Sequence, residues 1–389
     1  MVRSAPLLSR YSPAVAASTA LHLAKGSPGP PALAELVAVL APENIHLKSL
    51  VVPRARQGLL AHYLEVRERL GPGVILLPAQ VCPVVPAVIR AAGLTPFALD
   101  GDGALATPSP STYSAALSEP GVIGLLVAPM GGYVQEGWGT LLRALDARVD
   151  VGVDLAQAPL SAPALGSDLL TRADAVLFSF GVGKGFDTGG GLLLTKRTLP
   201  PRWPIRRAWP IVAEAAARSA AVRMTMALGL YRALLPLVDR MAANDVAVPA
   251  PEQADSSIAR SWLGRMPVVT SEFQRAAERS ARLGGLSLIR NCCVSVEATC
   301  SASARPLRQV LRLRSDLDRD AILGALRSAG LDCARGGEPF PEGADPTHWP
   351  AAYGFTRDAL RLPFLGRFSD DEFERAKAII EKVLITHGV

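Results

Sequence analysis

The chain has 389 residues, about half of them apolar, and a formal net charge of +6. That length exceeds one typical domain, and the apolar content is enough to bury a core without disulfides or metals. The basic excess is scattered arginine. It forms no aromatic-laced stripe, which argues against nucleic acid as a partner and suits small phosphorylated or carboxylated molecules.

The first 26 residues (MVRSAPLLSRYSPAVAASTALHLAKG) lack an unbroken apolar run followed by a cleavage site, so they do not read as a signal peptide. GSPGPP at 26–31 breaks the N-terminal piece from the main body. From about residue 53 a regular alternation begins. ARQGLLAHYLEVRERL reads as a helix, VILLP as a buried strand, CPVVPAVIRAAG as a helix ending at Gly93, TPFALD as a strand and STYSAALSE as a helix. VIGLLVAPM, DVGVDLAQ and AVLFSF are further short apolar runs. Short apolar strands separated by helices predict a parallel sheet covered on both faces.

After GGGLLLTK (189–196) the pattern changes. The segment 202–210 (RWPIRRAWP) sets two tryptophans among three arginines; it reads as a dimer-contact loop in preference to a contact for an anionic substrate or a membrane surface. The apolar stretch 211–238 contains Glu214, Arg218, Arg223 and Arg232, which makes it a packed helix and not a membrane span; no membrane contact is expected. A polar stretch (NDVAVPAPEQADSS) and more helix follow. The tail then alternates QVLRLRS (strand), DLDRDAILGALRSAG (helix), RLPF (strand) and SDDEFERAKAIIEKVL (helix), with Asp318 and Ser369 at the expected helix N-caps.

Five cysteines with no CxxC, two of them the adjacent Cys292 and Cys293, predict reduced thiols and a cytoplasmic enzyme. Five histidines without an HxxxH pair predict no metal site.

In a parallel α/β sheet, ligands bind at the carboxyl ends of the strands. Asp154 and Gln157 end DVGVDLAQ, Ser179 ends AVLFSF, Lys184 follows in GVGKGFDTGGG, and Pro78 to Cys82 ends VILLP. Each has an ordinary explanation alone: a solvated lysine, a helix-capping acid, a strand-end hydroxyl. Gathered at one rim they match what pyridoxal phosphate (PLP) needs, namely a lysine to condense with its aldehyde, a carboxylate for its ring nitrogen, and hydroxyls and helix-start amides for its phosphate. Competing motifs fail on spacing. LFSFG lacks the first glycine of a GxSxG elbow, Gly185 stands where a Walker A loop has Ser or Thr, and GVGKGF is not GxGxxG.

The run VGVDLAQAPLSAPALGSDLLTRADAVLFSFGVGKGFDTGGGLLLTK resembles the DegT/DnrJ/EryC1/StrS family of PLP-dependent sugar aminotransferases. That family has Asp-x-Ala-Gln, a strand ending Ser-Phe, a lysine five residues after the serine, and then a glycine pair. The matching residues here are Asp154–Gln157, Ser179–Phe180, Lys184 and Gly189–Gly191. The resemblance implies that Lys184 is the Schiff-base lysine and the base that moves the proton. It places Asp154 on the pyridine nitrogen, Gln157 near the ring hydroxyl and Ser179 on the phosphate. Cys82 falls where the family packs a flat side chain over the ring; a buried helix-start cysteine is the equal alternative.

Two departures stand out. The family's Ser-Gly-Thr at the first helix start is replaced by Arg54-Ala55-Arg56-Gln57, where the amides of Arg56 and Gln57 are the candidate phosphate ligands. The family's Asn-Tyr-Arg segment, which reaches a neighbouring active site, is not visible. The expected architecture is a fold-type-I PLP-dependent transferase, α/β, with a mostly parallel seven-stranded sheet between helices and a smaller C-terminal α+β domain. Its expected divisions are an N-terminal segment 1–52, a PLP-binding domain 53–245 and a small domain 246–389. The resemblance further implies a homodimer acting on an amino donor and a carbonyl acceptor. Transamination is the leading reaction; a PLP-dependent lyase, replacement or condensation reaction is the alternative, and a catalytically silent PLP-binding relative a third.

Overall fold

The computed structural model describes residues 29–388 apart from 45, 103–105, 134, 161–164, 182, 199–202, 228–246, 287, 288, 290–292, 295–306, 308 and 338–346. The N-terminal start, Arg202, the 228–238 part of the Ala-rich run and Cys292 lie outside the described residues.

Helix α1 (Gly29–Leu40) leads to strand β1 (Lys48–Val52). Then come α2 (Ala55–Leu70), β2 (Val74–Pro78), α3 (Val84–Ala91), β3 (Thr95–Leu99), α4 (Pro110–Ala116), β4 (Val122–Val127), α5 (Trp138–Ala144), β5 (Asp150–Asp154), α6 (Ser167–Arg172), β6 (Ala175–Ser179) and β7 (Gly191–Thr195). They build one seven-stranded sheet in the order β1-β7-β6-β5-β4-β2-β3. Only β7 runs against the others. Every residue of β5, β6 and β7 is buried. Such runs form where helices cover both faces of a sheet, and this is why they are continuous rather than alternating in hydropathy. One core lies between the sheet and α1, α5 and α6; the other lies between the sheet and α2 and α3.

Strand β1 lies ahead of the alternation that begins near residue 53. Residues 48–52 belong to the main sheet as an edge strand paired with β7 from Lys48–Thr195 to Val52–Gly191. Its first residues are exposed and only Val51 and Val52 are buried, so it carries no continuous apolar signal. Helix α1 likewise packs into the main core through Leu36, Val37 and Leu40.

Beyond the sheet lie the two-residue strand β8 (Ile205–Arg206), α7 (Ala208–Ala227), and β9 (Gln253–Ala254), which pairs with β8 inside the polar stretch. Helix α8 (Ile258–Gly284) spans 27 residues, about 40 Å. Its Trp262 belongs to the main core and its Leu283 to the C-terminal one, so it is shared between the two units. The C-terminal unit adds β10 (Cys293–Val294), β11 (Val310–Leu313), α9 (Arg319–Ser328), β12 (Ala334–Arg335), α10 (Pro350–Asp358), β13 (Ala359–Arg361) and α11 (Asp370–Thr386). Its four-stranded sheet runs β10-β11-β13-β12.

Both expected N-caps form. Asp318 accepts the amides of Asp320 and Ala321, and Ser369 makes a capping box with Glu372. The strand expected at RLPF sits earlier, at Ala359–Arg361: Leu362 adds one bond to the Gln309 carbonyl, and Pro363 has no N–H to continue the ladder. The small unit docks onto the main sheet through α10. The Asp100 carboxylate accepts the amides of Ala351 (3.0 Å) and Ala352 (2.9 Å), and Trp349 Nε1 donates to the Ala98 carbonyl at 3.1 Å. Among the described residues no helix is long and apolar enough to cross a membrane.

Candidate active site

Four parallel strands end at one cavity of about 280 Å³. The end of β2 contributes Gln80, Val81 and Cys82; β4, Ala128 and Pro129; β5, Asp154, Ala156 and Gln157; and β6, Ser179, Gly181 and Lys184. The start of α2 adds Arg54, Ala55 and Arg56, and α7 adds Ile211, Glu214, Ala215 and Arg218.

Asp154 is buried at the tip of β5, and its Oδ1 accepts the Ala156 N–H at 2.8 Å. Burial pushes its carboxyl above the ordinary carboxylate value; the Ala156 amide and the positive charge of Lys184 pull the other way. Gln157 Oε1 accepts the Gly131 N–H at 3.2 Å, which fixes its side-chain amide against the β4 loop. Ser179 is buried as the last residue of β6. The Lys184 amide bonds the Gly181 carbonyl at 3.1 Å, closing a tight turn directly after the strand.

The glycines that follow are a packing requirement. Gly189 and Gly190 have φ of +82° and +80°; a Cβ would meet the Ile211 carbonyl oxygen at 2.9 Å in one and the Trp262 ring at 2.8 Å in the other. Trp262 Nε1 donates to the Gly189 carbonyl at 3.1 Å, seating α8 beneath the loop.

The structure thus brings Lys184, Asp154, Gln157, Ser179, Cys82 and Arg56 to one cavity. It does not bring Gln57 there. The Gln57 amide bonds the Arg54 carbonyl at 2.9 Å, and its buried side chain donates to the Ala250 carbonyl (2.9 Å) and to Glu252 (3.3 Å). Arg56 lines the cavity while one guanidinium arm donates to the Ala247 carbonyl at 3.0 Å.

Glu214 escaped the sequence reading as a site residue. Arg54 (2.9 Å), Arg218 (3.2 Å) and Arg206 (3.7 Å) converge on its carboxylate at the cavity wall. The available signal was the i,i+4 spacing of Glu214 and Arg218 on a helix. One arginine of the Trp/Arg segment, Arg206, therefore pairs with a carboxylate of the cavity wall, whereas Ile205 and Trp209 stand exposed. Gln80, whose amide donates to the Ala352 carbonyl and to Thr356 Oγ1 at 2.8 Å, left no sequence signal.

No protein-family profile and no curated protein sequence matches the chain. Solved structures do. Spr1654 of Streptococcus pneumoniae, described as a candidate sugar aminotransferase and solved in PLP and PMP forms, is 18% identical in its PMP form, with 97% of this chain and 98% of that one covered at TM-score 0.66. The aminotransferase TlmJ of Streptoalloteichus hindustanus is 20% identical, with 97% and 99% covered at TM-score 0.66. A DegT DnrJ EryC1 StrS aminotransferase of Brucella abortus is 14% identical, with 96% and 95% covered at TM-score 0.63. This chain has their fold. The expected two-part α/β architecture with a mostly parallel seven-stranded sheet is the one observed.

Proposed function

We propose that the protein is a PLP-dependent aminotransferase that moves an amino group from an amino-acid donor to a carbonyl carbon of a small, sugar-like metabolite. The observation that carries this reading is the meeting of Lys184, buried Asp154 and Ser179 in one cavity at the strand ends. The fold shared with aminotransferases supports it, as do the PLP and PMP forms in which Spr1654 was solved.

The residues present fit the cofactor. PLP supplies an aldehyde that condenses with amines and a ring that withdraws electrons from the attached carbon. Asp154 offers a buried carboxylate at the cavity wall, the group needed to hold a proton on the ring nitrogen. Lys184 offers the amine that anchors the aldehyde and, once displaced by a donor amine, a base beside the carbon that loses its proton. Ser179, which lines the same cavity, would hold phosphate together with the backbone at the start of α2, and the Gln157 amide would orient the ring. Cys82 and Ala156 supply packing surface within the same cavity. The reading extends to a cytoplasmic homodimer; exposed Ile205, Trp209 and Met224, on β8 and α7, are the apolar groups available for such a contact.

The test is cofactor loading. Purified protein incubated with PLP should acquire a visible absorbance band, and borohydride should fix the cofactor on the peptide containing Lys184. Glutamate or a similar donor should bleach the band. Lys184→Ala should abolish both, and a wild-type protein that takes up no PLP would overturn the reading.

A further inference from the structure

Lys184 stands between two glycines, and each of them is held, through the backbone group on its side away from the lysine, by a different member of one buried ion pair. Asp187 has a positive φ of 57°, which turns its side chain back into the loop, and its Oδ1 accepts the Gly183 N–H at 2.5 Å. Its Oδ2 is bound by Arg367, whose other terminal nitrogen donates to the Gly185 carbonyl. Arg367 Nε also donates to Glu272 of α8 at 3.0 Å. The three side chains are only 6% (Arg367), 2% (Asp187) and 8% (Glu272) exposed.

A loop carrying Gly181, Gly183 and Gly185 has wide conformational freedom, so it needs bonds beyond its own backbone turn to fix it. Buried charge pairs add little net stability compared with apolar packing, but they set geometry sharply because either charge left alone is costly. Here that geometry is imposed on the two residues adjoining the lysine. We propose that Asp187 and Arg367 are positioning residues for Lys184: together they lock the two glycines flanking it and so aim its amine into the cavity. Arg367 belongs to the turn Leu365–Arg367 of the C-terminal unit, packed against α8. The lysine loop is thereby coupled to the placement of that unit through one guanidinium group. The proposal rests on the function proposed above.

The test compares Asp187→Asn, Arg367→Gln and Arg367→Lys with wild type, and uses His62→Asn, remote from the loop, as a variant destabilised for other reasons. Asparagine tolerates positive φ, so Asp187→Asn removes charge without adding backbone strain. Two quantities are read: hydrogen exchange at the Gly183 amide without cofactor, and the rate at which PLP becomes borohydride-fixed on Lys184.

Exchange should accelerate and capture should slow about tenfold or more in Asp187→Asn and Arg367→Gln, since small misplacements of a reacting group carry large rate losses. Combining the two should slow capture no further than the slower single change, as expected of one unit. Arg367→Lys should recover part of the loss, and His62→Asn should melt earlier yet capture PLP at the wild-type rate. Wild-type capture rates in the Asp187 and Arg367 variants would overturn the clamp while leaving the function intact. Unchanged Gly183 exchange would overturn it whatever the cofactor result. Wild-type protein that takes up no PLP overturns the functional reading, and with it the role assigned to the clamp.

Discussion

Asp150 and Asp154 stand at the two ends of β5, both buried, and their surroundings push them in opposite directions. At Asp150, burial favours the neutral acid, but His62 and Arg69 outweigh it and hold the carboxyl below its ordinary value. His62 Nε2 lies 2.9 Å from Oδ2 and Arg69 Nη2 lies 3.0 Å from Oδ1. At Asp154 burial wins. One end of the strand is a structural ion cluster, and the other is a buried carboxyl group at the cavity wall.

Asp150→Asn should destabilise the protein by about 3–5 kcal/mol near neutral pH, because it leaves buried His62 without its counter-charge and strips half-buried Arg69 of one of its two carboxylate partners. The depressed carboxyl stabilises the fold fully above the ordinary carboxylate value of about 4 and loses that contribution as pH falls through its lower folded value. His62 has the opposite sign. Burial lowers its pKa, but Asp150 more than offsets this, so it is raised. Its contribution is complete below about 6.5 and fades as pH rises through the raised value. Urea denaturation across pH should therefore show the Asp150→Asn deficit shrinking toward acid and the His62→Asn deficit shrinking toward alkali.

Asp154→Asn should separate stability from function. A carboxyl raised by burial destabilises the folded state when charged, and that penalty disappears as pH falls through its raised value. Removing the charge should raise the melting temperature of cofactor-free protein by about 2 °C at neutral pH. Under the proposed function, kcat should fall about 100-fold or more, since the group that holds the ring proton is lost. Calorimetry and donor half-reaction rates check the two halves. A lower melting temperature would show that the Ala156 amide and Lys184 stabilise the charge better than burial penalises it.

Much of the fold was legible because parallel strands buried on both faces are continuous apolar runs, and VILLP, DVGVD and AVLFS are such runs. Their carboxyl ends then named Asp154, Ser179, Lys184 and Cys82 without any contact being known. Strand β1 was not legible, because an edge strand with two exposed residues at its start has no such run. Gln57 was assigned by its position at a helix start. Its amide is taken by the Arg54 carbonyl, a local turn that spacing does not reveal. Glu272 and Arg367 were invisible as a pair because 95 residues separate them, and only the packing of α8 against the Leu365–Arg367 turn joins them.

Cys82 gives a chemical reading of cavity occupancy. It is exposed and lines the cavity, whereas Cys333 is buried. A maleimide should label Cys82 first in cofactor-free protein. Saturation with PLP at ten times its dissociation constant should slow that labelling about tenfold, in proportion to the unoccupied fraction. Cys82→Ser should remove the fast phase. Labelling indifferent to PLP would place the cofactor away from this wall and would return Cys82 to its alternative reading as a helix-start residue.

Glu214 holds three guanidinium groups with one carboxylate, leaving an excess of positive charge at the cavity wall. Its pairs with Arg54, Arg206 and Arg218 are all at least one-third exposed, so each adds at most about 1 kcal/mol to stability. Glu214→Gln should accordingly leave the melting temperature nearly unchanged. It should free the arginines for an incoming anion and lower the inhibition constant of inorganic phosphate roughly fivefold, an effect that weakens with added salt. Arg218→Ala should act in the reverse direction by removing one of the competing cations. The comparison discriminates because both changes break the same ion pair. A role confined to stability predicts that they act alike, whereas an anion-receiving wall predicts opposite signs in phosphate inhibition.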